Sequence, residues 1–188
     1  MSNLSNSSPT SSGLIEVLSD LIQSTQLFPD ENQTTYEALR ELLFSDLTPG
    51  TPYEHVIAQN LVDLEWEAMR HRRFRDQLIL SEYKYVAAEL VDKSAGPLGF
   101  PLGPSQADRE LALNSVSSDP EVRAAAEQQL ADRNISPSEI LAKAYQIRSK
   151  DLEPHDRKLA EIEIRRRRLR EDYERLKAST ARPIEDAQ

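Results

Sequence analysis

The chain contains no cysteine, which removes disulfides and thiolate metal sites and makes a cytoplasmic setting the expectation. No run of 18 apolar residues occurs, so no segment is expected to span a membrane. Aromatic residues make up only 6% of the 188, too few for a large aromatic core. Residues 1–12 are rich in Ser and Asn. They lack the basic start and apolar stretch of a secretory signal and read as a disordered tail. Glycine is scarce, and three of the five glycines fall between Ser94 and Ser105, alongside three prolines. That mixture excludes regular structure and marks residues 95–105 as a semi-extended linker.

From Tyr53 to Ser94 neither glycine nor proline occurs. The stretch is preceded by Thr51-Pro52 and carries Glu54, which together make a capping box with proline at the first helical position. One helix over 52–94 follows, about 60 Å long. Ile57, Leu61, Leu64 and Ala68 form one apolar stripe, continued by Ile79, Tyr83, Val86 and Leu90. Eleven-residue steps keep such a stripe in phase on a nearly straight helix. The opposite side carries Val62, Trp66, Met69 and Leu80. A helix apolar on two sides must be sandwiched between partners, so this one is expected to be the spine of the fold.

Shorter helices flank it. Leu14, Ile15, Leu18, Leu21 and Ile22 recur at helical spacing, with Glu16 and Asp20 as the charges, which suits a protein groove better than an anionic membrane. A helix over about 34–47 presents Tyr36, Leu39, Leu43 and Leu47, and the short link at Thr48-Pro49-Gly50 makes it an antiparallel neighbour of the spine. Helices are also expected at 106–114, at 120–133 after Ser118-Asp119-Pro120-Glu121, and at 137–149 after Ser136-Pro137-Ser138-Glu139. Pro154 should start or kink a last helix over 154–178. There Leu159, Ile162, Arg166, Leu169, Tyr173 and Leu176 form a heptad seam with an arginine at one core position. No strand pattern appears. The expectation is an all-α fold with an N-terminal helical domain over 13–94, the linker, a C-terminal helical segment over 106–180 and a tail over 181–188. Trp66, Leu61, Leu64, Leu169 and Tyr173 are the expected packing anchors.

The formal charge of −9 hides an asymmetry. Arg40 is the only lysine or arginine before Arg70, against eleven acids. The sign reverses at Arg70, Arg72, Arg73 and Arg75, and again at Arg165, Arg166, Arg167 and Arg168. Each cluster has two readings. As a binding surface it would grip phosphate. As structure, the first cluster would pair with Glu37, Glu41 and Asp46, with Trp66 covering Arg70 by a cation–π contact. The second would pair along its own helix, Glu161 with Arg165, Glu163 with Arg167, Asp172 with Arg168 and Glu171 with Arg175. Arg166 lies on the seam and needs a carboxylate from another helix or an escape to the edge.

No phosphate loop, nucleophile elbow or Ser/His/Asp arrangement is present, so no enzyme and no cofactor is expected. Glu67 and His71 stand four apart, but two ligands do not make a metal site, and His55 and His155 lie elsewhere.

Val62-Asp63-Leu64-Glu65-Trp66-Glu67, followed by Arg70, Arg72-Arg73 and Leu78-Ile79, resembles a segment found in a group of small helical alphaproteobacterial proteins. Tyr36-Glu37-Ala38-Leu39, Pro49-Gly50-Thr51, Asp156-Arg157 and Leu169-Arg170-Glu171 fit the same pattern, so the likeness covers about residues 28–177. Glu65 departs from it, standing where a small residue is expected. The resemblance implies an alphaproteobacterial origin and brings no activity, cofactor or site residue. The expected role is that of a non-enzymatic helical interaction or assembly protein, with a protein partner or a second copy as its target. A nucleic-acid accessory protein acting through the arginine-rich helices is the alternative.

Overall fold

A computed structural model describes residues 26–92 and 103–180. The expected tails over 1–12 and 181–188, the amphipathic segment at Leu14–Ile22 and most of the linker lie outside the described residues. Those residues form five helices and no strand: α1 (Gln33–Leu47), α2 (Pro52–Val91), α3 (Gln106–Asn114), α4 (Pro120–Asp132) and α5 (Pro137–Thr180). The fold is all-α, with a long helix packed against shorter ones. Two compact units divide it, one from Met1–Arg70 with Ala160–Gln188 and the other from His71–Leu159, so α2 and α5 each contribute to both.

The helix ends follow local chemistry. The Glu54 N–H donates to Thr51 Oγ1 (3.2 Å), while Glu54 Oε2 accepts from the N–H groups of Gly50 (2.6 Å) and Thr51 (3.3 Å). Three of the free donors at the start of α2 are thereby paired. Ser105 and Asp108 build a second capping box at α3, a helix whose start the sequence reading left unmarked. At α4 the cap is Asp119 rather than Ser118: its carboxylate accepts from the N–H groups of Glu121 and Val122, which leaves Pro120 at the first position. That helix closes on a Schellman motif. Asn134 takes φ 59°, its N–H donates to Ala131 O (2.8 Å), and the Ile135 N–H donates to Leu130 O (2.9 Å).

Two expectations about helix extent change. α2 ends at Val91, where the Asp92 N–H still donates to Ala88 O. α5 neither begins nor stops at Pro154 but runs through it from Pro137 to Thr180. Proline removes one donor and orphans the carbonyl four residues back. Pro154 and Lys150 are both exposed, so water can serve that carbonyl and the helix continues.

In the first unit α2 is apolar on two flanks and both are covered. Val62 and Trp66 pack with Tyr36 of α1, joined by Leu39, Leu43 and Met69. The Tyr36 and Trp66 rings meet edge-to-face at 5.3 Å. Ile57, Ala58 and Leu61 pack with Leu47 and with Tyr173 of α5, joined by Leu169 and Leu176. Leu64 is buried as well. All five expected anchors therefore lie in or against packed surfaces. α1 runs antiparallel to α2: Tyr36 reaches Gln59 and Asp63, Arg40 reaches Gln59, and Phe44 reaches His55.

α5 also finishes α1. The Tyr173 hydroxyl donates to Leu47 O (2.7 Å), and Lys177 Nζ donates to Leu47 O, Thr48 O and Thr48 Oγ1 (2.8–2.9 Å). These bonds satisfy carbonyls that a helix C-terminus leaves open, and the ammonium sits at the negative end of the helix dipole. Burial pushes the Tyr173 phenol up from its usual pKa.

The second unit has one core. Tyr83, Val86, Ala87 and Val91 of α2 meet Leu111 and Ala112 of α3, Leu130 of α4 and Ile140 and Ala144 of α5. The alanines let backbones approach closely. Leu80, expected on a packed flank, is 42% exposed because this unit's core lies on the Tyr83–Val86 side. The Glu82 carboxylate, buried at the edge of that core, accepts from Arg148 Nε (2.7 Å). His71 Nδ1 lies 2.9 Å from His155 Nδ1, a contact in which one nitrogen donates its proton and the other accepts it.

Candidate interaction groove between α1 and α5

The arginines sort into engaged and available groups. Arg70 is engaged: its Nε and Nη2 donate to Glu31 Oε1 (2.7 Å) and Oε2 (2.8 Å), and its guanidinium lies over the Phe28 ring at 4.6 Å. The expected partners Glu37, Glu41 and Asp46 and the expected Trp66 cover are replaced by this loop preceding α1. The chain turns at Pro29-Asp30 and brings Phe28 and Glu31 back against α2. The Glu31 side chain is 2% exposed and its pKa falls to about 2, chiefly through the Arg70 hydrogen bonds. The buried Trp66 indole N–H also lowers that pKa, from outside hydrogen-bonding geometry.

Arg75 belongs to the second unit. Its Nε stands 3.2 Å from Asp156 Oδ1, close enough for an ion pair but without the alignment of a hydrogen bond, and its Nη2 donates to Tyr145 Oη (3.4 Å). Arg73 is half-buried and Arg72 exposed.

Arg166 finds the carboxylate that its seam position demands. It pairs with Glu65 of α2 and, at 2.6 Å, with Glu163 of its own helix, and hydrogen bonding to Glu65 raises its pKa.

Arg165, Arg167 and Arg168 are exposed and make no hydrogen bond or ion pair among the described residues. The ion pairs seen along this part of α5 use other members: Arg170 with Glu174 and Arg175 with Asp172. Long exposed side chains gain little from such pairs, so the choice among them is weakly determined.

Between α1 and α5 in the first unit lies a groove of about 460 Å³. Leu43, Leu47, Leu61 and Ile164 supply its apolar walls. Asp46, Arg167 and Arg170 stand along it, and the Glu65–Arg166–Glu163 triad closes it. Ile164, on α5, is 43% exposed and faces this channel. Every wall residue sits on a helix held by buried packing, so the groove is preformed. Within the triad the one guanidinium faces two carboxylates, so its charge is met internally. What the groove offers a ligand is apolar area and the unpaired Arg167 guanidinium. Ile164 was missed from sequence because the heptad seam directed attention to the next face of α5.

Among the described residues no three metal-ligating side chains converge, and no helix is long and apolar enough to cross a membrane. Comparison with protein-family models, with curated proteins and with solved structures finds no match.

Proposed function

We propose that the protein is a non-enzymatic helical interaction protein whose α1–α5 groove receives an amphipathic helix. The observation that carries this reading is the groove itself: the exposed Ile164 and the half-buried Leu43 line an opening backed by the buried Leu47 and Leu61, beside an unpaired arginine. Helix-in-groove recognition uses apolar anchors at helical spacing, and an acidic residue on the guest would meet Arg167. A guest helix would cover Ile164 and bring Arg167 into a charge-assisted bond.

The test is direct binding. Fluorescently labelled helical peptides carrying apolar residues at i, i+3, i+4 and i+7 and one or two acids should bind the full chain by anisotropy. Ile164→Asp should weaken the binding by at least about tenfold, given the roughly 1.5–3 kcal/mol that one buried aliphatic anchor supplies. Binding that ignores this substitution, or no binding by any such peptide, removes the groove as the site.

The three unpaired arginines Arg165, Arg167 and Arg168 support a second reading, a nucleic-acid contact. Its weakness is local. Successive helical positions point 100° apart, so Arg165 and Arg168 share a face and Arg167 does not. That shared face also carries the exposed carboxylates Glu161 and Asp172, one turn to either side. Duplex DNA binding that falls steeply with added salt, and that is lost on replacing Arg165 and Arg168 together, would favour this alternative.

A further inference from the structure

We propose that His71 and His155 form a proton-operated latch between α2 and α5 within the second unit, closed while one imidazole stays neutral and opened by acid. The observation that carries it is the 2.9 Å approach of the two half-buried Nδ1 atoms. The ring centroids lie 5.2 Å apart, near the most that such an approach allows, so the two nitrogens face one another along a nearly straight line. Lone pairs aimed at each other cannot converge on one metal ion. A shared proton is what this geometry accommodates.

Proton count decides when the contact exists. Nδ1 donates in one neutral tautomer and accepts in the other, and in an imidazolium both nitrogens donate. With both rings neutral, or with one protonated, one Nδ1–H can meet one bare Nδ1. With both protonated, two N–H groups and two positive charges meet at contact distance. An isolated imidazole takes up its proton near pH 6.5. The unfolded chain therefore accepts the second proton more readily than the folded pair does. The latch contributes stability above about pH 6.5, and that contribution is lost as pH falls below it.

The surrounding charges balance one added proton better than two. On α2, Glu67 precedes His71 by one turn and Arg75 follows it by one turn. On α5, Asp151 precedes His155 by one turn, Asp156 is adjacent and Lys158 follows by about one turn. Asp151 is paired with Arg148 at 3.0 Å, and Asp156 with Arg75 at 3.2 Å. Glu67 is the carboxylate spaced to balance a proton on His71, which makes His155 the acceptor. His155 also meets Phe74 edge-to-face at 5.9 Å, and it forms the α5 wall of a cleft of about 300 Å³ lined from α2 by Phe74, Gln77, Leu78 and Ser81. Opening the latch releases that wall.

Nitrogen-15 labelling of the histidines in the full chain reads the latch directly. At about pH 7.5 the two Nδ1 nuclei should show a scalar coupling across their hydrogen bond. At about pH 5 the coupling should vanish. Exchange protection of backbone amides within residues 72–78 and 152–158, corrected for intrinsic rates, should fall about tenfold over the same interval, the order set by one lost hydrogen bond. His155→Gln keeps an uncharged acceptor for His71 at both pH values and should hold its protection. His71→Gln does the same for His155 and serves if the first variant fails to fold. No coupling at about pH 7.5, or a coupling that persists at about pH 5, overturns the proposal. So does protection that falls equally in wild type and in either folded variant.

Discussion

Replacing Arg70 by methionine isolates one carboxylate and gives a magnitude that two routes predict. The Glu31 side chain is almost fully buried and accepts three bonds, two from Arg70 and one from the Phe28 N–H at 3.0 Å. Removing one partner of a buried pair leaves an uncompensated charge and costs about 3–5 kcal/mol. The pKa provides the second route. Glu31 falls from its ordinary 4.5 to about 2 in the folded protein. At 1.36 kcal/mol per pH unit, its ionised form contributes about 3 kcal/mol of stability. Because the folded-state pKa is depressed, that contribution is present above pH 4.5 and is lost as pH falls toward 2. The unfolded chain takes up its proton first. Urea unfolding, followed by the single tryptophan at position 66, measures both effects. Wild type should lose about 3 kcal/mol between pH 5 and pH 2 from this group. Arg70→Met should lose a similar amount at pH 7 and show a flatter acid profile. Glu31→Gln should flatten the profile too, at a smaller cost of about 1–2 kcal/mol, because a neutral amide still accepts the Phe28 bond. A loss below 1 kcal/mol in Arg70→Met, with the acid slope unchanged, would refute the reasoning.

Three further outcomes are expected from the same unfolding assay. Arg166→Met should destabilise by about 1–2 kcal/mol by stranding Glu65, while Arg166→Met with Glu65→Met should recover most of it; an additive double variant contradicts direct pairing. Asn134→Val forces a β-branched residue into the left-handed region and should cost about 1–2 kcal/mol, against a few tenths for Asn134→Gly. Equal effects would mean that the Schellman turn is not specified there. Tyr173→Phe and Lys177→Met each remove bonds to the α1 terminus and should cost about 1 kcal/mol, with a double variant below the sum because both serve Leu47 O. Strict additivity would count against the shared cap.

What was legible in the sequence divides by range. The start of α2 could be read because Thr51, Pro52 and Glu54 act within one helical turn, where chain connectivity fixes their geometry. The two apolar flanks of α2 could be read because helical spacing places Leu61 and Trp66 on opposite sides wherever the helix lies. Partners across space could not be read. Glu31 was passed over in favour of Glu37, Glu41 and Asp46 because those lie on a helix face. The turn at Pro29-Asp30 that returns Glu31 to Arg70 leaves no periodic trace. Pro154 misled for a different reason. Its cost depends on whether the orphaned carbonyl meets water, and that depends on which side of α5 the rest of the unit covers. The groove shows the same limit most sharply. Ile164 reads as one more apolar residue beside an arginine run, and Arg167 as one more member of that run. Their spacing of three makes them neighbours on α5, but only the placement of α1 opposite α5 turns that face into a groove wall, and Arg166, not Arg167, is the member of the run that Glu65 captures. A binding surface assembled from what internal pairing leaves over cannot be found by counting charges. It emerges once every stronger internal claim on those charges has been met.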